Sequence, residues 1–192
     1  MTIWHSDWIL TLALEIERKF LVDDDSWRAL SVRSEQLVDG LLATSKGRKV
    51  RVRIYGDRAT IAIKTKKTGA VRHEFEYEIP MVDARHLITH ECRGDVVTKT
   101  RHYVPDHDLT WEVDVYEGEL AGIVIAEIEL ANSASAPRRP GWVGREVTDD
   151  PRYRKSDLRR RKQVKSGRRQ TSTRRGAEPV SFDPDGSAPF SS

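Results

Sequence analysis

Two acidic side chains separated by one apolar residue recur four times: Glu15-Ile16-Glu17, Glu74-Phe75-Glu76, Glu112-Val113-Asp114 and Glu127-Ile128-Glu129. On an extended strand such a pair puts both carboxylates on one face, with Cα atoms roughly 6.5–7 Å apart, so both can reach one hard cation. Oxygen donors without clustered His or Cys suit Mg²⁺ or Mn²⁺ rather than zinc. Cations recur with the same alternation, at Lys19, Arg51, Arg53, Lys64, Arg72, Lys99 and Arg101. Placed beside metal-bound carboxylates they would donate to phosphoryl oxygens, arginine through a bidentate fork. Metals and cations that neutralise charge as a phosphoryl group transfers fit triphosphate chemistry. For any one strand the bland alternative is stronger: a solvated face whose cross-strand pairs contribute a few tenths of a kcal/mol each, on the order of surface pairs generally. Solvent-facing strands, however, are usually rich in Thr, Ser and Gln, whereas these faces are nearly all Arg, Lys, Glu and Asp.

Seven strand-like segments must position these groups. In LEIERKF (14–20), Glu15, Glu17 and Lys19 alternate with Leu14, Ile16, Arg18 and Phe20, the period of a strand. Lys49, Arg51, Arg53 and Tyr55 share a face opposite Val50, Val52 and Ile54. Thr60, Lys64 and Lys66 oppose Ile61 and Ile63, and a turn at Gly69 leads to Arg72, Glu74, Glu76 and Glu78 opposite Phe75, Tyr77 and Ile79, which reads as a hairpin. Lys99, Arg101 and Tyr103 share a face, as do Glu112, Asp114 and Tyr116, and then Glu127 and Glu129. Between the fourth and fifth segments, Met81, Ala84, Leu87, Ile88 and Cys92 fall at helical spacing, with Asp83 as the expected N-cap and Gly94 as the stop. A closing helix is expected over 151–165, entered at Asp149-Asp150-Pro151. A sheet with apolar residues on one face and both signs of charge on the other curves most naturally into a closed barrel with a polar lumen.

At 192 residues the chain is long enough for one domain with a real core. Its net charge of +3 conceals an acidic body, because residues 152–175 hold twelve Lys/Arg and a single acid, Asp157. Beyond Gly167 the composition turns to Arg, Ser, Thr, Gly and Pro, so 166–192 is expected to be a disordered tail. The single cysteine, Cys92, rules out an internal disulfide framework and any zinc cluster built on cysteines. WILTLAL (8–14) is too short to span a bilayer and has no basic flank or small-residue cleavage site, so a cytoplasmic protein is expected. There is no Gly-x-x-x-x-Gly-Lys loop, no Ser-His-Asp arrangement stands out, and the six histidines are dispersed.

In order along the chain, these blocks resemble the CYTH domain proteins, the triphosphate tunnel metalloenzymes, over about residues 14–160. The resemblance rests on Glu15-Ile16-Glu17-Arg18-Lys19-Phe20, Val50-Arg51-Val52-Arg53, Ile63-Lys64-Thr65 and Arg72-x-Glu74-x-Glu76-Tyr77-Glu78-Ile79-Pro80. It continues through Lys99-Thr100-Arg101, Trp111-Glu112-Val113-Asp114-Val115-Tyr116, Glu127-Ile128-Glu129 and Trp142-x-Gly144-x-Glu146-Val147-Thr148-Asp149…Tyr153…Leu158. It implies an α+β fold: a closed eight-stranded antiparallel β-barrel (tunnel) with flanking α-helices, spanning 14–165 behind an extension of residues 1–13. It also implies phosphate contacts from Lys19, Arg51, Arg53, Lys64, Lys99 and Arg101, and metal held by Glu15, Glu17, Glu127 and Glu129. Glu74, Glu76 and Asp114 would support metal, water or cation positioning, and Arg72 would sit in lumen salt bridges. Glu15, Glu17 and Lys99 form the implied catalytic set.

The short members with Ile-Pro after the acidic strand resemble inorganic triphosphatases. The implied reaction is hydrolysis of tripolyphosphate to pyrophosphate and phosphate, with two Mg²⁺ or Mn²⁺ ions, one gripping phosphates and one activating water. Two alternatives stay open: adenylate cyclase or thiamine or nucleoside triphosphatase activity in the same tunnel, and a non-catalytic module that binds polyphosphate or nucleotide. The sequence departs from the family pattern at Leu41, where a tyrosine is common, and at Lys155, where an asparagine is common. The expected partner is a small-molecule triphosphate and no membrane. The basic segment reads as a solvated helix end and linker ahead of a nucleic-acid or polyphosphate contact, and a homodimer stands open beside a monomer.

Overall fold

The computed structural model describes residues 14–92, 96–132 and 136–153. The extension 1–13, Gly94, most of the expected closing helix and the basic tail lie outside the described residues. Among the described residues there are nine strands: β1 (Leu14–Val22), β2 (Arg33–Ser45), β3 (Arg48–Tyr55), β4 (Arg58–Lys64), β5 (Val71–Glu78), β6 (Val96–Asp106), β7 (Leu109–Tyr116), β8 (Val124–Glu129) and β9 (Val143–Glu146). They are ordered β5-β4-β3-β2-β6-β7-β8-β1-β9, and a further pairing of β5 with β1 closes the first eight into an antiparallel barrel. The closing seam is short: Leu14 lies opposite His73, Glu15 opposite Arg72 and Ile16 opposite Val71. The same edge of β1 then takes β9, with Phe20 opposite Glu146 and Val22 opposite Val143.

Directly opposed residues in antiparallel strands point to the same face, and the registers carry one row right round the barrel. Glu17 faces Glu129 and Lys19 faces Glu127, Glu127 faces Glu112, Asp114 faces Arg101, and Asp39 faces Arg53. Because this inner row is charged, the apolar row points outward and must be covered from outside. Ile16, Phe20, Trp111, Val113 and Ile128 are buried under Trp27 and Trp142 on the β1–β6–β7–β8 side. Val52 and Ala59 are buried under Ala84 of α1 (Met81–His86). At one end of the barrel Val97, Tyr116 and Ile125 pack with Leu120 and Leu21 as an apolar plug.

Two expectations change. The helix starts after Pro80, whose φ of −56° and ψ of 139° mark the N-cap, and Asp83 lies in the first turn without capping by its side chain. There its charge meets the positive end of the helix dipole. Instead of running on as α-helix, the segment passes into a π-helical turn over Leu87–Glu91. Among the described residues the only part of the closing helix is a 3₁₀ turn, Pro151–Tyr153. No helix among them is long and apolar enough to cross a membrane.

Cys92 is buried against β2 at Gly40. A Cβ at Gly40 would stand 2.5 Å from Cys92 Sγ and 3.3 Å from Ile88 Cγ1. Gly40→Ala is therefore expected to cost about 1–3 kcal/mol through overpacking, read as a lowered melting temperature. Adding Cys92→Ala should restore part of the loss, and no restoration would locate the strain elsewhere.

Candidate active site

The inner row encloses two cavities that meet at a waist formed by Glu17, Arg53 and Lys64. The first has a volume of about 480 Å³ and is lined by residues of β1, β3, β4, β5, β6, β7 and β8. Its lining is acidic: Glu15, Glu17, Glu74, Glu76, Glu112, Glu127 and Glu129, with Arg53, Arg58 and Arg101 among them. The second, of about 400 Å³, opens beside the β2–β3 turn and the β4–β5 loop. Its lining is basic: Lys19, Lys49, Arg51, Arg53, Lys64, Lys66, Lys67 and Arg72, with Thr148, Asp149, Asp150 and Tyr153 at the rim.

A lattice of ion pairs fixes these groups. Glu15 accepts from Arg72 (Nη2 to Oε1, 2.9 Å) and from Lys64 (3.1 Å), and Lys64 also donates to Glu74 at 2.6 Å. Lys19 lies 2.7 Å from Glu17 and pairs with Glu127. Arg101 reaches Asp114 (2.7 Å), Glu127 (2.9 Å) and Glu112. Asp39 accepts from Arg53 at 3.0 Å and from Arg51, while Arg53 donates to Tyr55 Oη at 2.8 Å.

These pairs sort the carboxylates into two kinds. Burial works to raise the Glu15 pKa, but the Arg72 bond and the Lys64 charge hold it well below the usual carboxylate range. Burial together with the neighbouring Glu15 pushes Glu74 up to about 7. Glu129 is also raised, by burial and then by Glu15, Glu112 and Glu17. Burial raises Glu112, with Glu127 and Asp114 adding to it against Arg101. The first chamber thus gathers more negative charge than its basic residues neutralise, which is the condition a divalent cation relieves. Its donors are carboxylate oxygens and fit Mg²⁺ or Mn²⁺ in kind. Among the described residues no three metal-binding side chains converge on one point, since Lys19, Lys64, Arg72 and Arg101 each occupy carboxylate oxygens. Binding a cation in this chamber requires some of those pairs to open.

The structure brings Lys19, Arg51, Arg53, Lys64 and Arg72 to the basic chamber, and Glu15, Glu17, Glu74, Glu76, Glu127 and Glu129 to the acidic one. Arg101 borders the acidic chamber. Lys99 and Asp114 line neither: both are fully buried and paired with each other. Burial and the Arg101 charge depress the Lys99 pKa, against the attraction of Asp114. Leu41 sits in the inner row opposite Arg51, and the phenols in that row are Tyr55, Tyr103 and Tyr116 on other strands. Sequence reasoning did not find Asp39, the buried acceptor for two arginines, because its strand also points Leu37 and Leu41 inward. It also missed Lys67, whose loop position follows no alternation.

A family model described as "CYTH domain" matches residues 13–160. A protein of Acetivibrio thermocellus named inorganic triphosphatase is 40% identical over 144 residues, 75% of this chain and 92% of that one. Another so named, from Nitrosomonas europaea, is 33% identical over 152 residues, 75% of this chain and 95% of its own. A crystal structure of an inorganic triphosphatase superposes with a TM-score of 0.53 at 31% identity, covering 75% of this chain and 93% of that one.

Proposed function

This chain belongs to the CYTH domain family, and from that premise we propose that it hydrolyses inorganic triphosphate to pyrophosphate and phosphate with the help of divalent metal. The observation that carries the reading is the meeting of a carboxylate-lined and a cation-lined chamber at Glu17, Arg53 and Lys64. A triphosphate lying across that waist has basic donors along its length and oxygen ligands for its counter-ions at one end. The names of relatives at 40% and 33% identity support the same reaction.

In this reading Lys19, Arg51, Arg53, Lys64 and Arg72 grip the phosphates, the arginines by bidentate contacts. Lys64 and Arg72 exchange Glu15 for phosphoryl oxygens as substrate enters. That exchange frees the Glu15 carboxylate, which with Glu17, Glu127 and Glu129 would hold the metal, Glu74 and Glu76 standing beside them. Mg²⁺ or Mn²⁺ held there would supply Lewis-acid stabilisation of phosphoryl charge and an activated water. Arg101 stabilises charge from the acidic side, and Lys99 acts as a positioning residue by fixing Asp114 and through it Arg101. The departing pyrophosphate is met by lysine and arginine charge, so the reaction does not depend on a phenol at position 41. The buried lone thiol accords with a reducing cytoplasm.

A substrate panel of tripolyphosphate, ATP and thiamine triphosphate, each with Mg²⁺ and with Mn²⁺, tests the proposal. Tripolyphosphate is expected to give the highest kcat/KM, and no metal-dependent phosphate release from any of the three would leave only a binding role. Stability adds a second reading. Glu74 holds its proton more tightly in the folded chain than at the ordinary value of 4.5, so its contribution is present at low pH and is lost as pH rises through about 7. A cation competes with that proton, and stabilisation by Mg²⁺ or Mn²⁺ is expected to be small near about pH 5 and larger near about pH 8. A melting shift independent of pH would remove Glu74 from the metal's neighbourhood.

A further inference from the structure

The inner row of β3 runs through both chambers. Lys49 and Arg51 line the basic one, Arg53 stands at the waist, and Tyr55 lines the acidic one. The row thus ends, on the carboxylate side, in a neutral phenol. Arg53 spends Nε and Nη2 on one oxygen of Asp39, at 3.1 and 3.0 Å, and donates through Nη1 to Tyr55 Oη at 2.8 Å. A guanidinium only donates, so the phenol oxygen is the acceptor in that bond and its own proton is left over. Among the described residues no protein acceptor lies within hydrogen-bond reach of that proton. The side chain is held in place: Tyr55 is 8% exposed, and the Arg58 and Arg53 guanidinium carbons stand 5.1 and 5.5 Å from its ring centre. Burial keeps its pKa above the ordinary value of 10 against the pull of Arg53, so the phenol is a donor at neutral pH. The other inner-row phenols are committed elsewhere. Tyr103 lines the same chamber but donates to Glu35 at 3.0 Å, and Tyr116 lines neither chamber.

We propose that Tyr55 is a substrate-binding residue whose O–H donates to an oxygen of the terminal phosphate, the one standing in the acidic chamber. The assignment rests on the triphosphate reading above, in which the pyrophosphate part lies along the lysines and arginines of the basic chamber. The phosphate reaching past Arg53 is then the one transferred, and Tyr55 is the next donor along the same wall. A neutral donor suits that place. A further cation there would oppose the divalent ion that the surrounding carboxylates attract, whereas a hydroxyl donates to a phosphoryl oxygen without adding charge. Arg53 links the two chambers, because it contributes to the grip on the pyrophosphate part and orients the phenol by occupying its lone pair. Asp39 fixes Arg53 in turn, so the direction of the O–H traces back to a buried carboxylate on β2.

Tyr55→Phe removes the donor and leaves the ring in place. With tripolyphosphate and Mg²⁺, kcat/KM is expected to fall about ten- to hundredfold, the range for a lost hydrogen bond to a charged group. Inhibition by pyrophosphate and the melting temperature should stay at the parent's values. Pyrophosphate occupies only the basic chamber in this reading, so it reports any disturbance passed back through Arg53. Tyr103→Phe, whose hydroxyl is spent on Glu35, is expected to keep the parent's kcat/KM. Parent-level kcat/KM in Tyr55→Phe would overturn the proposal. So would pyrophosphate inhibition weakened as much as turnover, because Tyr55 would then act only by holding Arg53. A parent chain that releases no phosphate would instead remove the hydrolytic reading. Tripolyphosphate binding, measured by calorimetry on the parent and on Tyr55→Phe, then decides the donor: affinity about tenfold weaker in the variant upholds it, and equal affinity overturns it.

Discussion

Metal-dependent phosphate release from tripolyphosphate is expected to fall by more than roughly a hundredfold when Glu15→Gln and Glu17→Gln are combined, the scale set by losing preorganised electrostatic groups at a reacting phosphoryl. Each glutamine keeps the size of the side chain but removes the charge that would hold a cation. The two sites differ in what else they support. Glu15 holds Arg72 and Lys64, so part of its loss will register as lower stability. Glu129 separates the two effects. It is exposed at the end of β8, and like-charged neighbours raise its pKa. Glu129→Gln should therefore lower activity while the melting temperature stays level or rises. Initial rates and melting curves on the same preparations decide the matter, and a double variant that still releases phosphate at the parent rate would end the carboxylate assignment.

Asp114→Asn is expected to be the most damaging single substitution to the fold. Asp114 is fully buried between Lys99 and Arg101, and neutralising it removes the bonded counter-charge of the buried Lys99 ammonium, while Arg101 keeps Glu112 and Glu127. Breaking a buried pair from one side costs about 3–5 kcal/mol, which in a domain of this size lowers the melting temperature by roughly 6–20 °C. Lys99→Met should cost much less. It removes the buried ammonium along with its desolvation penalty and leaves Asp114 accepting two bonds from Arg101. Calorimetric melting of the two variants tests the order. Equal losses would mean that the Lys99 ammonium contributes as much to this part of the wall as the Asp114 carboxylate, and would overturn the expected order.

The barrel was legible where lumen and surface differ most in polarity. In β1 and β3 the inward row is wholly charged or phenolic over the residues that count, so alternation alone identified Glu15, Glu17, Lys19, Arg51 and Arg53. In β2 the inward row mixes Leu37, Asp39 and Leu41, and the alternation that would have flagged Asp39 disappears. Depth is a second thing alternation cannot encode. Lys99 and Arg101 stand two residues apart on the same face, yet one is sealed behind Asp114 and the other borders a chamber. The position along the barrel axis comes from register, and register depends on strands far away in sequence. The helix boundary failed for a local reason, because Pro80 took the capping position that Asp83 was expected to fill.

β1 pairs with β5, β8 and β9, and none of these partners is close to it in sequence. Contacts of such long separation must absorb the loop-closure entropy of the intervening chain before they return any stability. During synthesis β1 emerges ahead of β5, β8 and β9 and cannot pair with them until the middle of the chain has followed it. The hairpins of β3–β4, β4–β5 and β6–β7 can form locally in the meantime. Glu15, Glu17 and Lys19 therefore join the tunnel late, and the two chambers come into being when β1 is finally enclosed by β8 and β9. A chain halted before β8 would contain most of the phosphate-facing cations but no β8 for β1 to dock against.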